Sequence, residues 1–136
     1  IVPTKDSTKY SHLLEKLAPR KPILFVGASG TAKTTIINDY IAGLSDETNR
    51  KLTIGFSSRT SSMDVQMNLE ANVDKRTGNF YGPPVGSKLV VFIDDMNMPK
   101  VDTYGTQQPI TLLLSLMSRG YIYNRTKDLN QLVRPT

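Results

Sequence analysis

Lys33 and Thr34 close a run of small residues, Gly27-Ala28-Ser29-Gly30-Thr31-Ala32, and the apolar stretch Ile23-Leu24-Phe25-Val26 precedes it. This order predicts a strand, a Gly-rich turn and the first turn of a helix. Such a turn presents successive backbone N–H groups and the positive end of a helix to a bound anion. In that chemistry Lys33 reaches the terminal phosphates of a nucleotide, and Thr34, followed by Thr35, offers its hydroxyl to Mg²⁺. The pattern G-x-x-x-x-G-K-[ST] is broken at one place: Ala32 stands where the last Gly belongs. Alanine tolerates helical backbone angles, so the cradle requires residue 32 to sit already at the helix entrance.

The second chemical feature is Lys88-Leu89-Val90-Val91-Phe92-Ile93-Asp94-Asp95. An unbroken apolar run predicts a strand over 89–95 buried on both faces, as in a parallel sheet, with two carboxylates at its C-terminal end. Parallel sheets bind ligands at that end. Asp94 is then the expected Mg²⁺ partner of the loop hydroxyl, and Asp95 is placed to orient or polarise an attacking water. Each feature alone has an ordinary structural explanation. A Gly/Ser/Thr turn needs no nucleotide, and acids at a strand end can cap the next turn. The pair together points to nucleotide chemistry.

Both features fall within 136 residues, room for one domain, and an apolar fraction of 38% suits a globular chain. No window approaches a membrane span, and no charged-then-apolar leader opens the sequence. There is no cysteine, which excludes a disulfide framework and fits a reducing compartment. The formal charge of +5 raises the question of nucleic acid. The basic residues, however, are scattered: Lys16, Arg20, Lys21, Arg50, Lys51, Lys75, Arg76, Arg119, Arg125, Lys127 and Arg134. No basic run is interleaved with aromatics, so they read as solvated surface and no nucleic acid or membrane partner is expected.

Around these features the elements alternate. Tyr10, Leu13, Leu14 and Leu17 recur at helical spacing, with Ser7 or Thr8 as the cap and Pro19 as the stop. His12 falls off that stripe and reads as solvent-facing. A helix should run from Lys33 to Ala42 and stop near Gly43. Leu52–Ser57 alternates as a strand, and Ser61-Ser62-Met63-Asp64 opens a helix carrying Val65, Leu69 and Val73, with Met63 and Met67 as packing residues. Asp74–Pro84 is a turn-rich loop, and Met96–Gln108 is a second irregular segment at the ligand edge. A helix from Pro109 to Gly120 should face Ile110, Leu113, Leu114 and Met117 inward, and Tyr121-Ile122-Tyr123 reads as a short strand.

Several of these segments together resemble a known family. Phe56-Ser57-Ser58-Arg59-Thr60, Lys75-Arg76-Thr77 with Tyr81-Gly82-Pro83-Pro84, and above all the run from Phe92 through Asp94-Asp95-Met96-Asn97-Met98-Pro99 to Ile110 are similar to dynein heavy chain. The similarity is closest to the third AAA+ module of the motor ring in axonemal dyneins and extends from Val2-Pro3-Thr4 to about Asn130. The Ala-Lys-Thr ending of the loop resembles that same module.

The resemblance implies an α/β fold, the P-loop NTPase (AAA+) αβα sandwich with a mainly parallel sheet of strand order 5-1-4-3-2. It implies ATP or ADP with Mg²⁺, bound between this module and its ring neighbour. Gly27, Ala28, Ser29, Gly30, Thr31, Ala32, Lys33, Thr34 and Thr35 match the phosphate loop. Thr34 and Asp94 match the Mg²⁺ ligands, Lys33 and Asp95 the catalytic pair, and Val2 and Pro3 the segment lying against the adenine. The implied partners are neighbouring AAA+ modules, dynein intermediate and light chains, and microtubules through a distant stalk. The implied location is cytoplasmic, in the axoneme of a cilium or flagellum. Asp95 stands where most such modules carry Glu, which implies slow hydrolysis and a regulatory role.

By the same resemblance residues 1–136 form part of an AAA+ large subdomain: the central strand, its sensor Asn and the helical lid are expected outside the sequence. Three functions follow as expectations. They are a hydrolysing regulatory module of a microtubule motor, a module that holds nucleotide without turnover, and a structural piece that contacts partners through its two long loops.

Overall fold

The computed structural model describes residues 2–78, 80–123, 125 and 132–135. Asn79 in the expected turn-rich loop and Lys127 in the basic set lie outside the described residues. The chain divides into two units, residues 1–45 and 46–136.

In the first unit, α1 spans Lys5–Leu17 and α2 spans Lys33–Ala42. Helix α1 begins earlier than its apolar stripe suggested. Thr4 is the cap: its hydroxyl accepts from the Ser7 N–H at 3.2 Å, while the Thr4 N–H donates to the Ser7 hydroxyl at 2.8 Å. Ser7 is thus the reciprocal member of a capping box, and Thr8 lies inside the helix. The two helices pack together, with Leu14 and Ile36 their buried side chains, and Tyr10 meets Phe25 edge to face at 6.3 Å. Helix α2 ends where expected, although Gly43 keeps right-handed angles (φ −78°).

The strand expected at Ile23–Val26 is absent: residues 22–28 join no ladder, and Leu24 and Val26 are exposed. A strand exists through the hydrogen bonds of its neighbours, and none of the described strands pairs with this segment. Apolar composition alone therefore does not make it one.

The second unit holds β1 (Asn49–Gly55), α3 (Ser62–Glu70), β2 (Asp74–Lys75), β3 (Phe80–Gly82), β4 (Lys88–Asp94), α4 (Gln108–Arg119), β5 (Ile122–Tyr123) and β6 (Leu132–Pro135). Strands β1 and β4 are parallel, in register from Asn49↔Lys88 to Gly55↔Asp94. Side chains alternate along a strand, so Leu52, Ile54 and Phe56 share a face with Val91 and Ile93. That face carries the core, in which Ile54, Phe56, Val65, Leu112, Leu113 and Ile122 are buried and Leu52, Leu69, Ile93 and Leu116 pack against them. The chain is thus an α/β fold built on a parallel strand pair. Strand β4 is not buried on both sides as its composition suggested. Phe92 is buried, but Val91 is 36% exposed, and among the described residues β4 has a strand neighbour along one edge only.

Helix α4 turns a different stripe inward. Pro109, Leu112 and Leu113 are buried and Leu116 packs on the core, while Leu114 and Met117 are exposed. Both stripes have the same i, i+3, i+4, i+7 spacing, one residue apart. Pro109, buried in the first turn, sets the phase, and it does not count as apolar in a periodicity reading. Met67, expected to pack, is 57% exposed on α3. The turn-rich segment from Asp74 is also more ordered than expected. β2 and β3 pair antiparallel, β3 pairs parallel with β6, and β6 pairs antiparallel with β5. Strands of two to four residues are too short to show alternation in sequence.

Candidate nucleotide-binding site

In the first unit, Gly27–Ala32 is folded around the Lys33 side chain. The Lys33 ammonium donates to the Gly27 carbonyl at 2.9 Å, the Ala28 carbonyl at 2.6 Å and the Thr31 hydroxyl at 3.1 Å. The Thr31 hydroxyl in turn donates to the Ala28 carbonyl at 2.8 Å. Gly30 takes φ +78°, a turn that glycine enters without a Cβ penalty. Lys33, Thr34 and Thr35 form the first turn of α2. α1 and α3 each close that end with a capping box, but Ala32 at the N-cap of α2 provides no side-chain bond. The result is a positively polarised helix end beside an ammonium group, which suits a polyphosphate.

Ala32 corrects one expectation. It does sit at the helix entrance, but with left-handed angles, φ 59° and ψ 22°, rather than helical ones. That region costs an L-residue about 1–2 kcal/mol and is free to glycine. The broken position of the motif is therefore one whose backbone asks for glycine.

In the second unit, β4 ends at Asp94, whose carbonyl accepts from the Phe56 N–H at 2.9 Å and extends the ladder past Gly55. Asp94 Oδ1 accepts from the Asp95 N–H at 3.0 Å. Asp95 is exposed and left-handed, with φ 55°. Ala32 and Asp95 are the described non-glycine residues with positive φ, and both belong to the sequence-predicted site. Strained backbone of this kind concentrates at functional sites.

Two neighbouring structures escaped the reading of single residues. The turn Ser57–Thr60 leaves the same strand ends as the acid pair. There Thr60 Oγ1 accepts from the Ser57 N–H at 2.8 Å, and the Thr60 N–H donates to the Ser57 carbonyl at 3.1 Å. The loop after Asp95 is tied internally. Asp102 accepts from the Tyr104 and Thr106 N–H groups, each at 2.9 Å, and from the Thr106 hydroxyl at 2.6 Å. The Thr106 bonds, hydroxyl first, hold the Asp102 carboxyl below its ordinary range. Gln107 donates to the Asn97 and Pro99 carbonyls at 3.2 and 2.7 Å, closing the loop onto its own start. An Asp followed by small hydroxyl residues hints at such a knot; the reach of Gln107 has no sequence signal.

Gln66 was also missed. It is buried on α3 and donates to the Tyr123 carbonyl at 2.7 Å and to Glu70 Oε1 at 2.9 Å, while its own Oε1 has no hydrogen-bond partner among the described residues. Val2 and Pro3 are exposed and lie just ahead of the Thr4 cap. Among the described residues no cluster of three or more His, Cys, Asp or Glu forms a ready-made metal cage.

A glycine-rich loop that leads into an uncapped helix, together with a parallel strand ending in carboxylates, defines an α/β protein of the P-loop class. The family described as P-loop containing dynein motor region matches residues 1–134, and the chain belongs to that family. It is 55% identical over 131 residues to dynein axonemal heavy chain 10 of Homo sapiens, covering 96% of this chain and 3% of that protein. It is 52% identical to the Dynein-1-alpha heavy chain, flagellar inner arm I1 complex, of Chlamydomonas reinhardtii, again over 96% of this chain and 3% of the relative. Dynein axonemal heavy chain 12 of Mus musculus is 42% identical, covering 91% of this chain and 4% of that protein. The chain thus spans 3–4% of the length of these relatives.

Proposed function

We propose that this chain is part of the ATP-binding third AAA+ module of an axonemal dynein heavy chain, a regulatory site of slow turnover that tunes a motor whose main ATPase lies elsewhere. The observation that carries the reading is Lys33. Its ammonium is drawn over the Gly27–Thr31 turn by oxygen acceptors, directly ahead of the uncapped first turn of α2. In this reading the backbone N–H groups of residues 30–35 and the Lys33 ammonium hold the phosphates of ATP. The Thr34 hydroxyl and the Asp94 carboxylate would hold Mg²⁺. That ion would supply charge neutralisation on the phosphate oxygens. Asp95 accepts the proton of the attacking water, and Val2 and Pro3 lie against the adenine. Asp95 is one methylene shorter than Glu and so holds water less closely, which favours slow hydrolysis.

The names of the relatives support an axonemal location, in a cilium or flagellum; a cytoplasmic compartment is part of the same proposal. The partners in this reading are the adjoining AAA+ modules, dynein intermediate and light chains, and microtubules reached through another part of the heavy chain. A second reading, nucleotide held as a switch without turnover, draws support from the left-handed Ala32, whose methyl stands where the motif has none.

The test is equilibrium binding of ATP to Lys33→Ala. Affinity is expected to fall about 10–100-fold, the effect of losing a charged hydrogen bond to phosphate, with GTP bound more weakly than ATP by the parent protein. Unchanged affinity in Lys33→Ala would sink the phosphate-loop reading and leave a structural role.

A further inference from the structure

We propose that Thr31 is a positioning residue for the nucleotide site: its hydroxyl joins the Ala28 carbonyl to the Lys33 ammonium and sets where the lysine charge stands. The inference rests on the phosphate-loop reading above and adds a residue whose role there is indirect.

A hydroxyl has one proton to give and two lone pairs to receive with. Thr31 gives its proton to the Ala28 carbonyl at 2.8 Å, which leaves its oxygen free to accept from Lys33 Nζ at 3.1 Å. The ammonium has three protons, and three acceptors are at hand: the Gly27 carbonyl, the Ala28 carbonyl and this hydroxyl. Two of the three belong to the backbone and survive any side-chain substitution. Thr31 is the side chain among them, and it grips the Ala28 carbonyl as well as the lysine. Three oxygens therefore converge on one nitrogen, with Thr31 bonded to two corners of the set. The lysine stem is long and rotatable, so its charge is localised only by what the ammonium touches. A Cβ placed on Gly27 would meet Thr31 Oγ1 at 3.4 Å, Lys33 Cδ at 3.7 Å and Lys33 Nζ at 3.9 Å. The hydroxyl and the lysine stem thus stand beside the backbone of residue 27, with room for no more than a methyl group between them. Moving the hydroxyl moves the charge.

Valine has the shape of threonine without the hydroxyl, so Thr31→Val removes the bridge and keeps the packing. Thr31→Ser keeps the bridge. The experiment measures ATP binding at this site in the full motor protein, by photo-cross-linking of 8-azido-ATP and mass spectrometry of the labelled peptides from residues 1–45. Thr31→Val is expected to weaken binding about tenfold, and Thr31→Ser to stay within about twofold of the parent. In a Lys33→Ala background Thr31→Val should add less than about twofold, because the group it positions is gone. Binding by Thr31→Val equal to the parent overturns the proposal, as does an equal loss with and without Lys33. If Lys33→Ala weakens labelling while Thr31→Val does not, this proposal alone falls. If neither variant weakens it, the phosphate-loop reading falls too.

Discussion

Replacing Asp95 by Asn is expected to lower ATP turnover at this site by about 100-fold or more, the usual contribution of a general base, while ATP binding stays within about threefold. The substitution is well matched to the backbone. Asp95 stands at φ 55°, a region that Asp and Asn enter more readily than other non-glycine residues, so Asn can take the same conformation. The Asp95 N–H also keeps its bond to Asp94 Oδ1, since that bond involves the backbone of residue 95 alone. What changes is the capacity to take a proton from water. Single-turnover hydrolysis with nucleotide analysis of this site checks the prediction. A rate unchanged in Asp95→Asn would favour the module as a holder of nucleotide without turnover.

Phe56→Ala is expected to destabilise the folded protein by about 3–5 kcal/mol, a large share of the roughly 5–15 kcal/mol that holds a domain together. Phe56 is 4% exposed and packs in one cluster with Ile54, Val65, Leu112, Leu113 and Ile122. Truncation removes the ring and leaves a cavity between the parallel pair and the helices over it. The backbone N–H of residue 56, which alanine keeps, still donates to the Asp94 carbonyl, so the loss reads packing alone. Urea unfolding followed by circular dichroism reads the loss. A change under about 1 kcal/mol would show that Phe56 does not anchor the core.

The parts of this fold that follow from local chemistry were readable in sequence. Ser61 and Asp64 form the expected capping box: the Asp64 carboxylate accepts from the Ser61 N–H at 2.9 Å and from its hydroxyl at 2.7 Å, and these bonds lower its pKa. Gly120 ends α4 at φ 73°, the left-handed turn such a residue announces. β4 was visible because five apolar residues in a row have few other uses. What failed depended on partners distant in sequence. Ile23–Val26 has strand composition and no ladder, and the phase of α4 is set by the burial of Pro109. The short β2, β3 and β6 owe their existence to one another, which no window of residues can show.

The candidate site divides in the same way. Lys33, Thr34, Asp94 and Asp95 could be named from type and spacing, since phosphate and Mg²⁺ chemistry demands those groups at a strand–helix turn and a strand end. The left-handed angles of Ala32 and Asp95 could not. Alanine carries no signal of backbone strain, and aspartate after a strand is read first for its charge. Gln107, which closes the loop after the acid pair, acts over eight to ten residues through carbonyls that every residue has.

The proposed function requires the Gly27–Thr35 loop and the Asp94 carboxylate to serve one Mg²⁺–nucleotide complex. Its most direct test is ATP binding with and without Mg²⁺, measured on the parent protein and on Asp94→Asn. The account predicts that Mg²⁺ strengthens ATP binding in the parent by about tenfold, and that Asp94→Asn erases this gain without weakening Mg²⁺-free binding. A Mg²⁺ gain that survives intact in Asp94→Asn would contradict it.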